Sequence, residues 1–186
     1  MPEVFVGAGS NVDPERQLRN ALAELERRFG TLRCSSVYRG PAAGAPAADY
    51  LNLVVTLQSQ LAVDSLHAEL RAIEALAGRA RADAAVCELD LDLLLYGSCV
   101  SAERRLPRPG LFTLPFVLVP LAELAPELIH PVTGERCGAA LRERARGDLT
   151  NLGPLHARAS RLPADAATTV DGDDLARDVR GVTHEE

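Results

Sequence analysis

Along the first hundred residues the apolar positions recur in patterns that change from strand-like to helix-like and back. Val4 and Val6 mark a short first strand, which the pattern ends at Gly7, Gly9 and Asn11, residues suited to a turn. Asp13 is placed to cap a helix with Pro14 at its first position, and Leu18, Leu22, Leu25 and Phe29 then line one face until Gly30. Leu32 to Arg39 reads as a second strand, Gly40 to Ala48 as an irregular loop, and the alternation Leu51, Leu53, Val55, Leu57 as a third strand. A second helix, capped by Asp64 or Ser65, carries Leu66, Leu70, Ile73 and Ala77 and closes near Gly78. Glu88 to Tyr96 forms a fourth strand.

The order strand, helix, strand, strand, helix, strand predicts an α+β protein: a ferredoxin-like antiparallel sheet with two helices packed on one face. Beyond it, Arg104 to Pro109 reads as a loop, Phe116 to Leu124 as a short apolar helix or strand, and Arg136 to Arg146 as a surface helix. From about Ser160 the chain turns polar, rich in Ala, Asp, Thr and Gly, without apolar periodicity. This predicts one domain over 1–159 and a solvated tail over 160–186.

Composition narrows the chemistry. A chain of 186 residues with 47% hydrophobic content suffices for one core. No apolar stretch is long enough for a bilayer span, so no membrane association is expected. A net charge of -6 and the lack of a basic run interleaved with aromatics argue against nucleic acid. Every basic residue is arginine, which excludes P-loop and Schiff-base lysines. Cys34, Cys87, Cys99 and Cys137 form no C-x-x-C pair and read as reduced thiols of a cytoplasmic protein.

The most informative segment is Glu88-Leu89-Asp90-Leu91-Asp92-Leu93-Leu94-Leu95-Tyr96. Strand alternation sends Leu89, Leu91, Leu93 and Leu95 one way and Asp90 and Asp92 the other. Two carboxylates on one face repel unless a cation intervenes, and hard oxygen donors suit magnesium at a nucleotide. The competing reading is an amphipathic edge strand whose acids meet water.

Several further segments bear on that choice: G-x-G-S-N at Gly7 to Asn11, S-S-x-Y-R at Ser35 to Arg39, D-Y-L-N at Asp49 to Asn52, and I-E-x-x-x-G-R-x-R at Ile73 to Arg81. With L-D-L-D-L-L-L-Y-G at Leu89 to Gly97 and F-V-L-x-P-L-x-E-L-A-P at Phe116 to Pro126, they resemble, in order, the 6-hydroxymethyl-7,8-dihydropterin pyrophosphokinase family. The resemblance implies ATP-dependent pyrophosphoryl transfer to a reduced pterin in folate biosynthesis, with release of AMP. It implies that Asp90 and Asp92 hold magnesium, that Pro41, Tyr50, Asn52 and Phe116 bind the pterin, and that Glu74, Arg79, Arg81 and Arg108 serve the nucleotide. Asp90 and Asp92 are then expected to project from a central strand into the main cleft near Asn52 and Phe116.

The chain also departs from that pattern. The loop between Arg81 and Glu88 is short and lacks the W-G-P-R sequence, Cys87 and Leu114 stand where arginines are expected, and Pro107-Arg108-Pro109 replaces P-H-P, with Arg108 keeping a phosphate-binding cation and Arg104 or Arg105 a candidate for another. These changes imply impaired turnover, or an alternative in which a diverged paralogue binds a pterin or nucleotide with little or no turnover.

Overall fold

The structure, a computed structural model, describes residues 1–41, 48–78, 87–144 and 147–155. Arg79, Arg81, most of the loop expected at 40–48 and the tail expected from 160 lie outside the described residues.

Ten elements follow one another: β1 (Glu3–Ser10), α1 (Pro14–Phe29), β2 (Arg33–Cys34), β3 (Tyr38–Gly40), β4 (Tyr50–Gln58), α2 (Val63–Leu76), β5 (Asp90–Tyr96), α3 (Pro115–Leu124), α4 (Cys137–Glu143) and β6 (Thr150–Asn151). They build a six-stranded sheet in the order β5-β1-β4-β3-β6, with β2 paired to β4, and every pairing is antiparallel. The expected ferredoxin-like α+β architecture is present, with one correction. Helices cover both faces: Leu18, Ala21 and Leu25 of α1 and Leu66, Leu70 and Ile73 of α2 pack on one, while Val117, Leu118 and Leu121 of α3 and Cys137 and Ala140 of α4 pack on the other.

Each face draws on its own half of the strand alternation. Val4, Val6 and Ala8 of β1 and Leu51, Leu53, Val55 and Leu57 of β4 meet α1 and α2. Phe5 and Val54 meet α3 and α4. The segment Phe116 to Leu124 is therefore a helix, and the expected surface helix at 136–146 is shorter and buries two of its residues.

Local chemistry explains the displaced boundaries. β1 runs through Gly7 and Gly9 because β4 and β5 pair with it on both sides to that point. The stretch 32–39 is broken at Ser35, whose backbone N–H donates to the Val54 carbonyl at 2.9 Å and whose hydroxyl accepts from the Val54 N–H at 3.0 Å. Asp13 sits at the N-cap of α1 in a left-handed conformation, φ 43°, but its carboxylate pairs with Arg16 rather than capping the helix. Ala62, not Asp64 or Ser65, precedes α2, and the Asp64 carboxylate instead accepts two bonds from Arg104, both at 2.9 Å.

The fourth expected strand needs the largest correction. It begins at Asp90 rather than Glu88, and its pairing with β1 slips between Phe5 and Val6, so that Val6 faces Leu93 but Phe5 faces Leu95. The irregularity places Leu94 and Leu95 together in the α3 cluster, whereas Leu89, Leu91 and Leu93 stay with α1 and α2. Moreover, β5 is an edge strand of the sheet, not a central one.

Candidate functional site at the edge of the sheet

Cross-strand register assembles the site. Asp90 pairs with Gly9, Gly9 with Asn52, Asn52 with Tyr38 and Tyr38 with Asn151. Directly paired residues share a face, so one polar row crosses five strands on the side covered further along by α3. Asp92 belongs to the neighbouring row with Gly7 and Val54. Gly9 has a steric reason to be glycine: a Cβ there would approach Asn52 Oδ1 to 2.8 Å. Asp90 and Asn52 thus stand two strands apart, about 10 Å between backbones, with no side chain between them.

Tyr50, two residues before Asn52, shares that face. Burial, the Cys87 thiol beside it and the nearby Asp90 carboxylate push its phenol up to about 12. Cys87 is itself anchored: its N–H donates to Asn11 Oδ1 at 2.7 Å and its carbonyl accepts from the Asn11 N–H at 3.0 Å. Ser10 Oγ donates to the Glu88 carbonyl at 2.5 Å. The G-x-G-S-N segment therefore fixes the entry into β5. Pro41 follows β3 at the end where Gly40 pairs with Tyr50, and Phe116 lies in the first turn of α3, half-buried against the cluster that contains Val54.

The free edge of β5 is occupied by side chains and loop. Glu74 of α2 is buried, 4% exposed, and its Oε1 accepts from the Leu91 N–H at 2.8 Å. Its carboxylate thereby takes the place of a strand neighbour, which the described residues do not supply, midway between the two aspartates. Further along, the Arg108 N–H donates to the Leu94 carbonyl at 2.9 Å, and its guanidinium meets Asp92 at 2.5 Å.

Around this edge opens a cavity of about 500 Å³, lined by both aspartates, Glu74 and Arg108, and also by His67, Arg71, Arg104 and Arg105. Arg104 is held by Asp64, whereas Arg71 and Arg105 form no ion pair among the described residues. Burial and the neighbouring Arg71 lower the pKa of His67, with Asp64 and Asp92 acting in the opposite direction. Such a cavity suits a polyanion: guanidinium forks match phosphate oxygens. Asp90 and Asp92 offer the one or two carboxylates that a phosphate-bound magnesium takes from protein, its other ligands being phosphate oxygens and water. No group of three or more metal-ligating side chains forms among the described residues.

The site residues expected from sequence fall into two neighbouring regions. Asp90, Asp92, Glu74 and Arg108 line the edge cavity, while Asn52 and Tyr50 stand across the Gly9 gap. Arg71 and His67 escaped the sequence reading, whereas both Arg104 and Arg105, its alternatives for a further phosphate-binding cation, line the cavity. Arg71 and His67 had a signal, since they are four residues apart on the same face of α2 as Glu74. Arg105 sits in a left-handed turn at φ 54°.

A ferredoxin-like α+β sheet with an acid-and-arginine cavity at one edge is the class of protein that these observations define. The 7,8-dihydro-6-hydroxymethylpterin-pyrophosphokinase family model matches residues 5–126, and the chain belongs to that family. It is 43% identical over 136 residues to the 2-amino-4-hydroxy-6-hydroxymethyldihydropteridine pyrophosphokinase of Synechocystis, covering 70% of each chain. To the Haemophilus influenzae protein of the same name it is 34% identical, covering 70% of this chain and 86% of that one. Among solved structures, wild-type Plasmodium falciparum HPPK-DHPS shares the fold with TM-score 0.62 at 11% identity. That match covers 76% of this chain, which spans only 44% of the larger protein.

Proposed function

We infer that this chain is the pyrophosphokinase its family names: it transfers a pyrophosphoryl group from ATP to the hydroxymethyl group of 6-hydroxymethyl-7,8-dihydropterin, releasing AMP, a step of folate biosynthesis. The observation that carries this reading is that the Asp90–Gly9–Asn52 row and the edge cavity both lie within the segment the family model matches. Relatives named as the enzyme, those of Synechocystis and Haemophilus influenzae among them, favour turnover over the alternative of a binding protein.

The residues divide the work. Asn52 presents a donor and an acceptor to the amide-like edge of the pterin, and Phe116, Tyr50 and Pro41 supply its apolar walls. Arg108, Arg71 and Arg105 receive the triphosphate, joined by Arg79 and Arg81. Glu74 keeps β5 straight between its two carboxylates by holding the Leu91 N–H. Asp90 and Asp92 would hold magnesium, which would supply neutralisation of phosphate charge. The pterin hydroxyl then meets the nucleotide where the Gly9 gap opens toward the cavity, so that positioning and electrostatics carry the transfer without a covalent enzyme intermediate.

Cys87 and Leu114 supply no cation where arginines are expected, so turnover is set below that of a protein with both. Leu114 also packs on Gly110, where an added Cβ would come within 2.6 Å of it. Arg71 and Arg105, which line the cavity, offset part of the deficit. The four free thiols among the described residues suit a reducing, cytoplasmic setting.

The test is AMP release from ATP, with and without 6-hydroxymethyl-7,8-dihydropterin, and with magnesium present or chelated. Pterin-dependent, magnesium-dependent AMP is the expected result. Tight pterin binding without AMP would return the binding-protein alternative, and magnesium-independent AMP would remove the metal role from Asp90 and Asp92.

A further inference from the structure

The polar row that contains Asp90 and Asn52 does not end at the pterin wall. It continues through Tyr38 to Asn151, and a carboxylate from another element closes on it. Glu123, near the C-terminal end of α3, accepts from the Ser36 N–H at 3.0 and 3.1 Å through its two oxygens, from the Ser36 hydroxyl at 2.9 Å and from the Tyr38 hydroxyl at 2.9 Å. The same phenol oxygen accepts from Asn151 Nδ2 at 3.1 Å. At the next residue, the Leu124 carbonyl accepts from Arg33 at 2.9 Å.

Two consequences follow from helix and sheet geometry. Phe116 and Glu123 are seven residues apart on α3, close to two full turns, and so project on the same side of that helix. Tyr38 is the direct cross-strand neighbour of Asn52. A single carboxylate therefore ties the helix that carries Phe116 to the strand pair that carries Asn52, and so fixes both the rotation of α3 and its position along its axis. The mean contact of α3 with the sheet is apolar, and apolar packing alone tolerates sliding, whereas directed hydrogen bonds do not.

We propose that Glu123 is a positioning residue for the pterin, setting the separation of the Phe116 ring from the Asn52 amide through Ser36 and Tyr38. It touches no substrate. The inference rests on the function proposed above and on Asn52 and Phe116 forming the pterin wall. Because Glu123 is exposed and lies outside the buried core, its removal leaves the fold in place.

The experiment compares Glu123→Ala, Glu123→Gln and Tyr38→Phe with the wild-type chain in steady-state assays, varying pterin and ATP separately, alongside thermal midpoints. Glu123→Ala is expected to raise KM for the pterin about tenfold while KM for ATP stays within about twofold, the scale of one lost charge-assisted hydrogen bond. Glu123→Gln, which keeps one acceptor oxygen, recovers part of the loss, and Tyr38→Phe moves the pterin KM in the same direction by less. A parallel rise of both KM values, or a lowered midpoint with unchanged pterin KM, assigns Glu123 a purely structural role and overturns the proposal. A wild-type chain that binds the pterin but forms no AMP overturns the function instead. The positioning claim is then decided by pterin Kd in the same variants, where an unchanged Kd overturns it.

Discussion

The two faces of the central sheet were built to different rules. On the α1 and α2 side, β1, β4 and β5 contribute an unbroken set of buried aliphatic residues, including Val4, Leu53, Val55 and Leu91. On the other side the same strands change character along their length. Phe5, Val54 and Leu94 pack under α3, but within one or two positions the row becomes Asp90, Gly9, Asn52 and Tyr38. One face is spent wholly on stability, and the other shares its area between a core and a site. The difference teaches that the polar row of the candidate site is not added to the fold on loops. It uses strand positions from which apolar side chains have been withheld.

The sharpest separation of the two faces comes from Asp90→Asn. If this position belongs to the site, pterin-dependent AMP formation falls about 10³-fold, roughly 4 kcal/mol of barrier, while the thermal midpoint holds, because the side chain is only half-buried and stabilises no core. A variant that keeps near wild-type turnover would mean that the acid pair is merely the polar side of an edge strand. On the opposite face, Leu25→Ala removes a fully buried α1 side chain and is expected to cost about 3 kcal/mol of stability. Its kcat per folded molecule should match the wild-type value when assayed well below the lowered midpoint. A fall in kcat without loss of stability would show that the aliphatic face also tunes the site.

The contrast between the faces also accounts for what was legible in the sequence. The aliphatic face announces itself locally, as the recurrence Leu18, Leu22, Leu25 and Phe29 or the alternation from Leu51 to Leu57. The acid pair was equally plain, because alternation is a property of a single strand. The polar row was not, since it depends on register between strands that are distant in sequence, and nothing near Tyr38 reveals that it will lie beside Asn52. The slip that sends Leu95 to the α3 side was likewise invisible, as it arises from pairing with β1 rather than from the Leu-rich run itself. The edge position of β5 follows from the strand order, which strand count alone leaves open.

A smaller effect probes the edge cavity, which is reached from both faces. Arg105 adopts φ 54°, a conformation glycine takes up freely, so Arg105→Gly removes the guanidinium while leaving the backbone in a favourable state. The expected result is a KM for ATP raised about tenfold, roughly 1.4 kcal/mol, with pterin KM unchanged and no fall in thermal midpoint. An unaltered ATP KM would leave Arg71 and Arg108 as the described cations that receive phosphate.

The smallest expected effect sets two histidines against each other, one lining the cavity and one outside its lining. Burial lowers the pKa of both His67 and His130 below 6.5, so folding favours their neutral forms. His130 Nδ1 accepts from the Val132 and Thr133 N–H groups at 3.3 Å, and its ring meets Phe112 edge-on at 5.1 Å. For a group whose folded pKa is depressed, the stabilisation is complete above its unfolded pKa, here 6.5, and is lost as pH falls through the folded value. The thermal midpoint of the wild-type chain should therefore decline below pH 6.5, and either His67→Gln or His130→Gln should flatten part of that decline. Nucleotide separates the two contributions. Phosphate in the edge cavity favours a protonated imidazole at 67, raising its pKa and relieving its share of the decline, but does not reach His130. Saturating ATP should thus flatten the pH dependence in the wild-type chain and in His130→Gln, and leave the slope of His67→Gln as it was. If ATP changes the slope equally in all three proteins, the nucleotide binds away from His67, and the edge cavity is not its site.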